Sequence, residues 1–198
     1  AEQIKGTYFF DEEWARGERW YRSHFPTDHV RAKAAARLGY DPIAFEASPY
    51  YLFHPQAPAR AHQVAPGALI VALLRDPVER AFSHYKERSN HTETLTFAEA
   101  LAAEEERTAG EEARLLRDPT AISPAHRHQT YVAQSRYAPM LDRWFGAYGR
   151  DNVLVTAAGG KVDFLATDLE VQITSTATLD GNAEGSITVG ARKLYDIL

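Results

Sequence analysis

The sequence predicts an α/β fold in which a parallel-sheet core is followed by an antiparallel β-rich C-terminal extension. Residues 68–74 form a short, continuous apolar run that suits a strand buried on both faces of a parallel sheet. A helix signal follows within two residues. Residues 161–166 and 170–178 instead alternate apolar and polar side chains, with turn signals at 159–160 and 180–181, which is typical of antiparallel strands.

The composition of the chain excludes several functional classes. The chain has 198 residues, a formal net charge of −5 and 44% hydrophobic residues, enough for one ordinary domain or two small ones. With 22 basic against 27 acidic residues, we expect no nucleic-acid partner and only a local anion site. The absence of cysteine excludes disulfides. No apolar segment is long enough to span a membrane, so we expect no membrane partner and a cytoplasmic location.

The first part of the chain predicts two helices and a short strand. Aromatic residues at helical spacing predict a helix over 12–25, and an Ala- and Arg-rich segment predicts one over 28–38 that ends near Gly39. Residues 43–46 predict a strand that places Glu46 at its carboxyl end, where the carboxylate can act as a base or orient an acceptor hydroxyl. The alternative, which stays open, is an acid that accepts hydrogen bonds from neighbouring backbone amides.

The junction that follows the central apolar run carries the candidate anion site. Asp76 can accept hydrogen bonds from the first amides of a helix, Pro77 fits its first position, and Glu79 stands three residues after Asp76, as in a capping box. Arg75 is therefore expected at a strand's carboxyl end beside a helix amino terminus, which favours an anion. The hydroxyl of Ser83, two turns on, can share that anion. The alternative is a structural βα unit whose arginine pairs with a carboxylate.

Two helices are predicted after this junction. Thr96 and Glu99 form a capping box at the start of a helix that runs towards residue 116. Residues 131–148 have helical periodicity, and Pro139 is expected to bend or restart that helix.

Two further features resemble functional sites without the context that such sites need. Residues 115–119 repeat the letters LLRDP of the central junction, but no β-rich run precedes them, and we expect them at a helix end. His126 and His128 suggest a metal pair, yet no carboxylate stands at a fitting spacing, so no metal is expected.

The run LIVALLRDPVERAFSHY resembles the 3′-phosphate-binding motif of the sulfotransferases that use 3′-phosphoadenosine 5′-phosphosulfate (PAPS), a group that includes heparan sulfate sulfotransferases. The resemblance implies that PAPS is the co-substrate and that Arg75 and Ser83 hold its 3′-phosphate. It also implies a P-loop-like core and sulfuryl transfer to a hydroxyl or amine of a small-molecule or carbohydrate acceptor, without a metal. KGTYFFD and FEASPYYLFHPQAPAR resemble two further family segments, the second along the acceptor cleft.

The chain departs from this family pattern at the expected catalytic base. Gly6 stands where several members carry the proposed base, a glutamate, and Tyr8 stands where histidine is common. Glu46 is therefore the candidate catalytic residue. Because the resemblance begins at Lys5, after the elements that hold the 5′-phosphosulfate, we expect an incomplete core, a fragment or processed product, and impaired catalysis. A phosphate loop at 5–7 is another interpretation, but only four residues precede it.

The last part of the chain resembles a different family. The segments ATDLEVQI and ITVGARKLYDIL are similar to the first domain of the bacterial DNA polymerase sliding clamp, with Gly190 where proline is expected. We therefore expect a partial sulfotransferase domain over 1–152 and a sliding-clamp-like β fragment over 153–198, joined as a chimera within 152–155. The alternative is a sulfotransferase with a divergent β-rich tail.

Two other functions stay open beside an impaired sulfotransferase. One is a non-catalytic module that binds a 3′-phosphoadenosine nucleotide, and the other is a clamp-like interaction fragment without a ligand. Exposed strand edges at the join would favour self-association.

Overall fold

The computed structural model describes residues 6–157, 163–168 and 171–176, which form eight α-helices and four β-strands. The helices are α1 (Gly17–Arg22), α2 (Asp28–Leu38), α3 (Ala57–Val64), α4 (Pro77–Ser89), α5 (Phe97–Thr108), α6 (Glu111–Arg117), α7 (Pro124–His128) and α8 (Tyr137–Tyr148). The strands are β1 (Ile70–Leu74), β2 (Val153–Ala157), β3 (Asp163–Asp168) and β4 (Val171–Thr176). Short 3₁₀ turns lie at Trp14–Arg16, Pro49–Leu52, Ala133–Ser135 and Arg150–Asn152.

Strands β1 and β2 form a two-stranded parallel sheet, in register from Ile70 opposite Val153 to Leu74 opposite Ala157. The chain passes through five helices, α4 to α8, between the two strands, and parallel strands need such a long connection. This arrangement confirms the prediction of an α/β fold with a parallel sheet.

Strands β3 and β4 pair in the antiparallel sense, with Asp163 opposite Thr176. Within the described ranges they form a two-stranded sheet that is separate from the parallel sheet. The remainder of the predicted β-rich tail, 177–198, lies outside the described residues.

The parallel sheet packs on the core with one face only. The main buried cluster consists of Phe9, Phe10, Tyr51, Ala57, Ala61, Val64, Trp144, Tyr148 and Val153. On the other face, Val71 is 45% exposed and Leu73 is 42% exposed. The prediction of a strand buried on both faces is therefore wrong. The physical reason is that the cluster, built largely from α3, α8 and the first aromatic run, covers only the side of the sheet that carries Val153 and Ala72.

Helices α2 and α5 begin or end at the residues that their local sequences predict. The Thr27 side chain accepts a hydrogen bond from the Val30 amide at the start of α2, and the helix ends at Gly39, whose φ of 79° glycine adopts without a Cβ penalty. At the start of α5, the Thr96 hydroxyl accepts from the Glu99 amide while the Glu99 carboxylate accepts from the Thr96 amide. The capping box is confirmed.

One predicted strand is absent, and one predicted helix is divided into two. Residues 43–46 form no strand and lie in an irregular segment in which Ile43 is 81% exposed, because no described strand lies beside them as a pairing partner. The single helix expected towards residue 116 is divided into α5 and α6, because Ala109 leaves the helical region, with a ψ of 122°, and Gly110 is left-handed, with a φ of 76°.

Two other predicted helices are shortened at their amino ends. The segment 12–25 forms a 3₁₀ turn followed by α1. The segment 131–148 becomes helical only at Tyr137, so Pro139 lies in the first turn of α8, where its missing N–H has no partner to lose. The longest described helix, α4, has 13 residues, and no helix in the described ranges is long and apolar enough to cross a membrane.

Candidate functional site

The predicted anion site lies where β1 ends and α4 begins. The Asp76 carboxylate accepts hydrogen bonds from the amides of Val78 and Glu79, each at 2.9 Å. Pro77 occupies the first turn of the helix, as predicted. Because Asp76 itself takes the amides of Val78 and Glu79, as predicted, an anion at this junction must be held mainly by side chains.

Arg75 presents the only side-chain cation of the junction that is not tied to a backbone carbonyl in the described residues. Its side chain is 47% exposed and lies 3.5 Å from the Glu79 carboxylate, an exposed pair of the kind that contributes little to stability. Ser83 is exposed on α4, and its hydroxyl makes no hydrogen bond within the described part of the chain. The alternative interpretation, an arginine paired with a carboxylate, therefore describes the unliganded junction, and the weak pair leaves Arg75 able to bind a stronger anion.

The neighbouring Arg80 fixes the junction instead of presenting a free charge. Its guanidinium donates to the Ser135 hydroxyl at 2.7 Å and to the Tyr131 carbonyl, and burial lowers its pKa. The Ser135 hydroxyl in turn contacts the Pro77 carbonyl at 2.8 Å. The Tyr137 hydroxyl donates to the Arg75 carbonyl at 3.0 Å. These contacts hold the start of α4 against the segment that leads into α8.

Glu46 lies in an irregular segment, so its predicted place at the end of a strand is wrong. The half-buried carboxylate accepts a hydrogen bond from the Thr7 hydroxyl at 2.6 Å and from the Tyr51 hydroxyl at 3.2 Å. Burial, and secondarily the charge of Glu46, raise the pKa of Tyr51, so its hydroxyl stays protonated and donates. The Tyr21 hydroxyl also hydrogen-bonds to Glu46, so the carboxylate has three hydroxyl partners, none of which is a backbone amide.

Gly6 approaches the backbone of the Glu46 segment too closely for any side chain. A Cβ placed on Gly6 would lie 2.7 Å from the Ala47 carbonyl oxygen, which is a clash. In this conformation, position 6 has no room for the acid that the sequence comparison with sulfotransferases expects. The alternative phosphate loop is not supported, because residues 6–13 form bends and turns that lead into the short 3₁₀ turn at Trp14–Arg16 and the six-residue helix α1, and no described strand precedes them; Lys5 lies outside the described residues.

A buried polar network fixes the turn that contains Phe10 and Asp11 on the irregular segment that contains Glu46 and Ser48. The Asp11 carboxylate accepts from the Glu12 amide at 2.7 Å and from the Ser48 hydroxyl at 3.0 Å, and burial raises its pKa to about 6. The buried Arg60 donates to the carbonyls of Phe10 and Asp11 at 2.9 and 3.0 Å. The contacts between Thr7 and Glu46 are therefore held by a rigid surrounding.

His126 has a different role from the suggested metal pair with His128. His126 is buried, its Nδ1 lies 2.7 Å from the Tyr50 hydroxyl, and its ring stacks on Phe53. Burial lowers the pKa of His126 to about 4, so the ring is neutral at pH 7. Across the described ranges, no group of three or more His, Asp or Glu side chains is placed to hold a metal ion.

The structure brings together only part of the predicted site. Arg75 and Ser83 share the β1–α4 unit, whereas no hydrogen bond or ion pair joins either of them to Glu46 in the described residues. Both parts adjoin one core, because Ile70 of β1 packs against the cluster that contains Tyr51. The sequence did not reveal Thr7 as a partner of Glu46, since 39 residues separate the two and no pattern links them.

Comparison with known proteins shows homology to sulfotransferases. The bifunctional heparan sulfate N-deacetylase/N-sulfotransferase 1 of Caenorhabditis elegans is 26% identical over 137 residues, which are 69% of this chain and 13% of that protein. The human heparan sulfate glucosamine 3-O-sulfotransferase 6 is 28% identical over 137 residues, again 69% of this chain and 33% of that protein. The chain thus spans a third or less of these relatives.

A solved structure and a family model complete the comparison. The crystal structure of a sulfotransferase from Alicyclobacillus acidocaldarius is 34% identical, with a TM-score of 0.44, over 63% of this chain and 47% of that one. Residues 150–198 match the family model of the DNA polymerase III beta subunit, N-terminal domain. Both similarities that the sequence suggested are therefore found: the relatives are sulfotransferases, and the family model is that of the clamp domain. Strand β2 lies within the residues that match the clamp model.

Proposed function

We propose that the protein is a PAPS-dependent sulfotransferase, or a part of one, that binds the nucleotide's 3′-phosphate with Arg75 and Ser83. The observation that carries this proposal is the β1–α4 junction. There, an exposed arginine ends a parallel strand and a hydroxyl without a described partner lies two turns along the following helix. The homology to sulfotransferases supports this interpretation over a purely structural junction.

Glu46 is proposed as the residue that accepts a proton from the acceptor or orients its hydroxyl or amine. The role fits a carboxylate that is half-buried and held by the hydroxyls of Thr7 and Tyr51. In sulfuryl transfer, a base on the acceptor and cations on the phosphate oxygens of the nucleotide lower the barrier, because negative charge develops on the leaving phosphate. We propose a small-molecule or carbohydrate acceptor.

The nucleotide site is tested by thermal unfolding with and without 3′-phosphoadenosine 5′-phosphate (PAP). At a hundredfold excess over its dissociation constant, PAP should add roughly 2.7 kcal/mol to the free energy of unfolding, or about 5–10 °C in Tm. Arg75→Ala should abolish the shift. Arg117→Ala is the matched control, because Arg117 is an exposed arginine in the same letters LLRDP. A PAP shift that survives in Arg75→Ala would contradict the proposal.

Catalysis is tested separately from binding. Release of PAP from PAPS, measured with alcohol, phenol, amine and carbohydrate acceptors, distinguishes an enzyme from a module that only binds the nucleotide. Glu46→Gln should leave the PAP-induced shift in Tm unchanged and remove any turnover. Binding without turnover for every acceptor would favour the non-catalytic module.

The match of residues 150–198 favours a second proposal about the origin of the chain. We propose a partial sulfotransferase domain over 1–152 joined to a clamp-like segment over 153–198. The proposed join falls at the first residue of β2, the strand that pairs with β1. Sequencing of the encoding locus tests this directly, since one uninterrupted natural gene with close relatives of the same layout would exclude a chimera.

A further inference from the structure

A cavity of about 330 Å³ opens between the end of the Glu46 segment and the start of α8. This volume lies at the lower end of the range for small-molecule sites and admits a single ring or a short chain. The cavity wall has an apolar part and a charged part. The apolar part includes Phe53, Pro139 and Met140, and the charged part consists of Glu112, Arg136 and Arg143.

The charged part carries one positive charge that no described residue neutralises. Arg143 donates to the Glu112 carboxylate at 2.7 Å and to the Phe53 carbonyl at 3.2 Å, so that pair is internally balanced. Arg136 is exposed and makes no side-chain hydrogen bond or ion pair within the described residues. An uncompensated guanidinium at the rim of an apolar cavity favours a ligand with an anionic group and an apolar body.

The same wall disfavours a sugar. A sugar hydroxyl that leaves water must find a hydrogen-bond partner, or its desolvation is not compensated. The described residues that line the cavity include no Ser, Thr, Asn or Gln side chain, and the Glu112 carboxylate is already paired with Arg143. The exposed Pro139 can instead contact an aromatic ring or a short aliphatic chain, next to the buried Phe53 and Met140 in the same wall.

The cavity adjoins both parts of the proposed site. Leu52 packs both against the cluster that contains Tyr51, which donates to Glu46, and against the cluster that contains Phe53 and Met140. Tyr137, the neighbour of Arg136 in the chain, donates its hydroxyl to the Arg75 carbonyl at 3.0 Å. We propose that the cavity binds the remote end of the acceptor, an organic anion with an aromatic or short aliphatic body, whose carboxylate or sulfate is held by Arg136. This inference rests on the proposed function.

The single methionine of the chain, Met140, makes the cavity directly observable. In protein labelled with [¹³C-methyl]methionine, the one methyl resonance needs no assignment. We expect 4-hydroxybenzoate to shift it in a saturable way. Two control compounds each lack one contact: the uncharged methyl ester keeps the ring but has no anion for Arg136, and glucose 6-phosphate keeps an anion but has no apolar body. Each should shift the Met140 resonance at least about tenfold more weakly at equal concentration.

Variants of arginine connect this response to Arg136. Arg136→Ala should weaken the binding of 4-hydroxybenzoate at least about tenfold, to the level of the ester, since a charge-assisted hydrogen bond is lost. Arg117→Ala, an exposed arginine outside the cavity, should leave the dissociation constant unchanged. Equal binding of the acid and the ester, or an unchanged dissociation constant for 4-hydroxybenzoate in Arg136→Ala, overturns the inference.

The nucleotide titration separates this inference from the proposed function. Arg75→Ala should lose the PAP-induced shift in Tm and keep the Met140 response to 4-hydroxybenzoate. A normal PAP-induced shift in Tm with no response of Met140 to 4-hydroxybenzoate contradicts only the proposal that the cavity binds an organic anion. A Met140 response without any PAP shift in the unmodified chain contradicts the nucleotide site, and with it the acceptor role of the cavity.

Discussion

The letters LLRDP occur twice in this chain and adopt two different structures. At 73–77 they end strand β1 and begin helix α4, whereas at 115–119 they end helix α6 and enter a turn. In both copies the aspartate before the proline lies outside the helical region, with φ and ψ of −49° and 126° at Asp76 and of −117° and 106° at Asp118, as the following proline favours. The dipeptide therefore fixes a local bend in both places.

The surroundings of the two copies determine which hydrogen bonds each aspartate accepts and which element follows it. Asp76 accepts from the amides of Val78 and Glu79 and starts a 13-residue helix, while Asp118 accepts from the amide and hydroxyl of Thr120 and closes a turn. A β-branched run precedes the first copy, and a helix rich in Glu and Ala precedes the second. Identical residues thus provide a candidate anion site in one context and only a helix end in the other.

The largest difference between the copies should be the cost of removing a leucine. Leu115 is 1% exposed, and Leu115→Ala should lower the free energy of unfolding by about 2–5 kcal/mol because it leaves a cavity. Leu73 is 42% exposed, and Leu73→Ala should cost less than about 1 kcal/mol. Urea denaturation of both variants measures this. Equal losses would show that the outer face of β1 is covered in solution.

The two aspartates should differ next. Asp76→Ala removes the cap of α4 and should lower the free energy of unfolding by about 0.5–2 kcal/mol. Asp118→Ala should lower it less, because it opens only an exposed turn. The matched variants Asp76→Asn and Asp118→Asn retain an acceptor oxygen and should recover most of each loss. A larger loss for Asp118→Ala than for Asp76→Ala would reverse the comparison.

The two arginines should be nearly indistinguishable without a ligand. Arg75→Ala and Arg117→Ala should each change the free energy of unfolding by less than about 0.5 kcal/mol, since exposed ion pairs contribute little. Differential scanning calorimetry of the unliganded variants provides the measurement. A loss of several kcal/mol in Arg75→Ala alone would mean that Arg75 stabilises the fold, and the PAP experiment could then not be interpreted as loss of a binding group.

The smallest effect should appear in the pH dependence of the second copy. Hydrogen bonds from Thr120 lower the pKa of the Asp118 carboxyl below its usual value. Any stability that Asp118 adds is therefore fully present above the unfolded-state pKa of about 3.9 and is lost as the pH falls through the lower folded-state pKa. The urea midpoints of the unmodified chain and Asp118→Ala should differ at pH 7 and converge below about pH 4. A gap that persists at pH 2 would contradict this origin.

Local signals in the sequence determined several elements correctly. The caps at Asp76 and Thr96 and the glycine stop at Gly39 are contacts between residues at most four apart, so the sequence contains both partners. Arg75 was placed at its junction for the same reason. The strand expected over 43–46 and the unbroken helix through Gly110 failed, because the first depends on a pairing partner and the second on where the chain must turn.

The sequence alone determined the α/β class, the position of Arg75 at a strand-to-helix junction and the two unrelated similarities of the chain. Only the tertiary structure decided that one face of β1 is open, that Thr7 and Tyr51 hold Glu46, and that Arg136 borders an apolar cavity beside Met140. The physical reason is distance along the chain. Contacts such as Thr7 with Glu46 join residues 39 positions apart, and packing, which no local pattern encodes, brings them together.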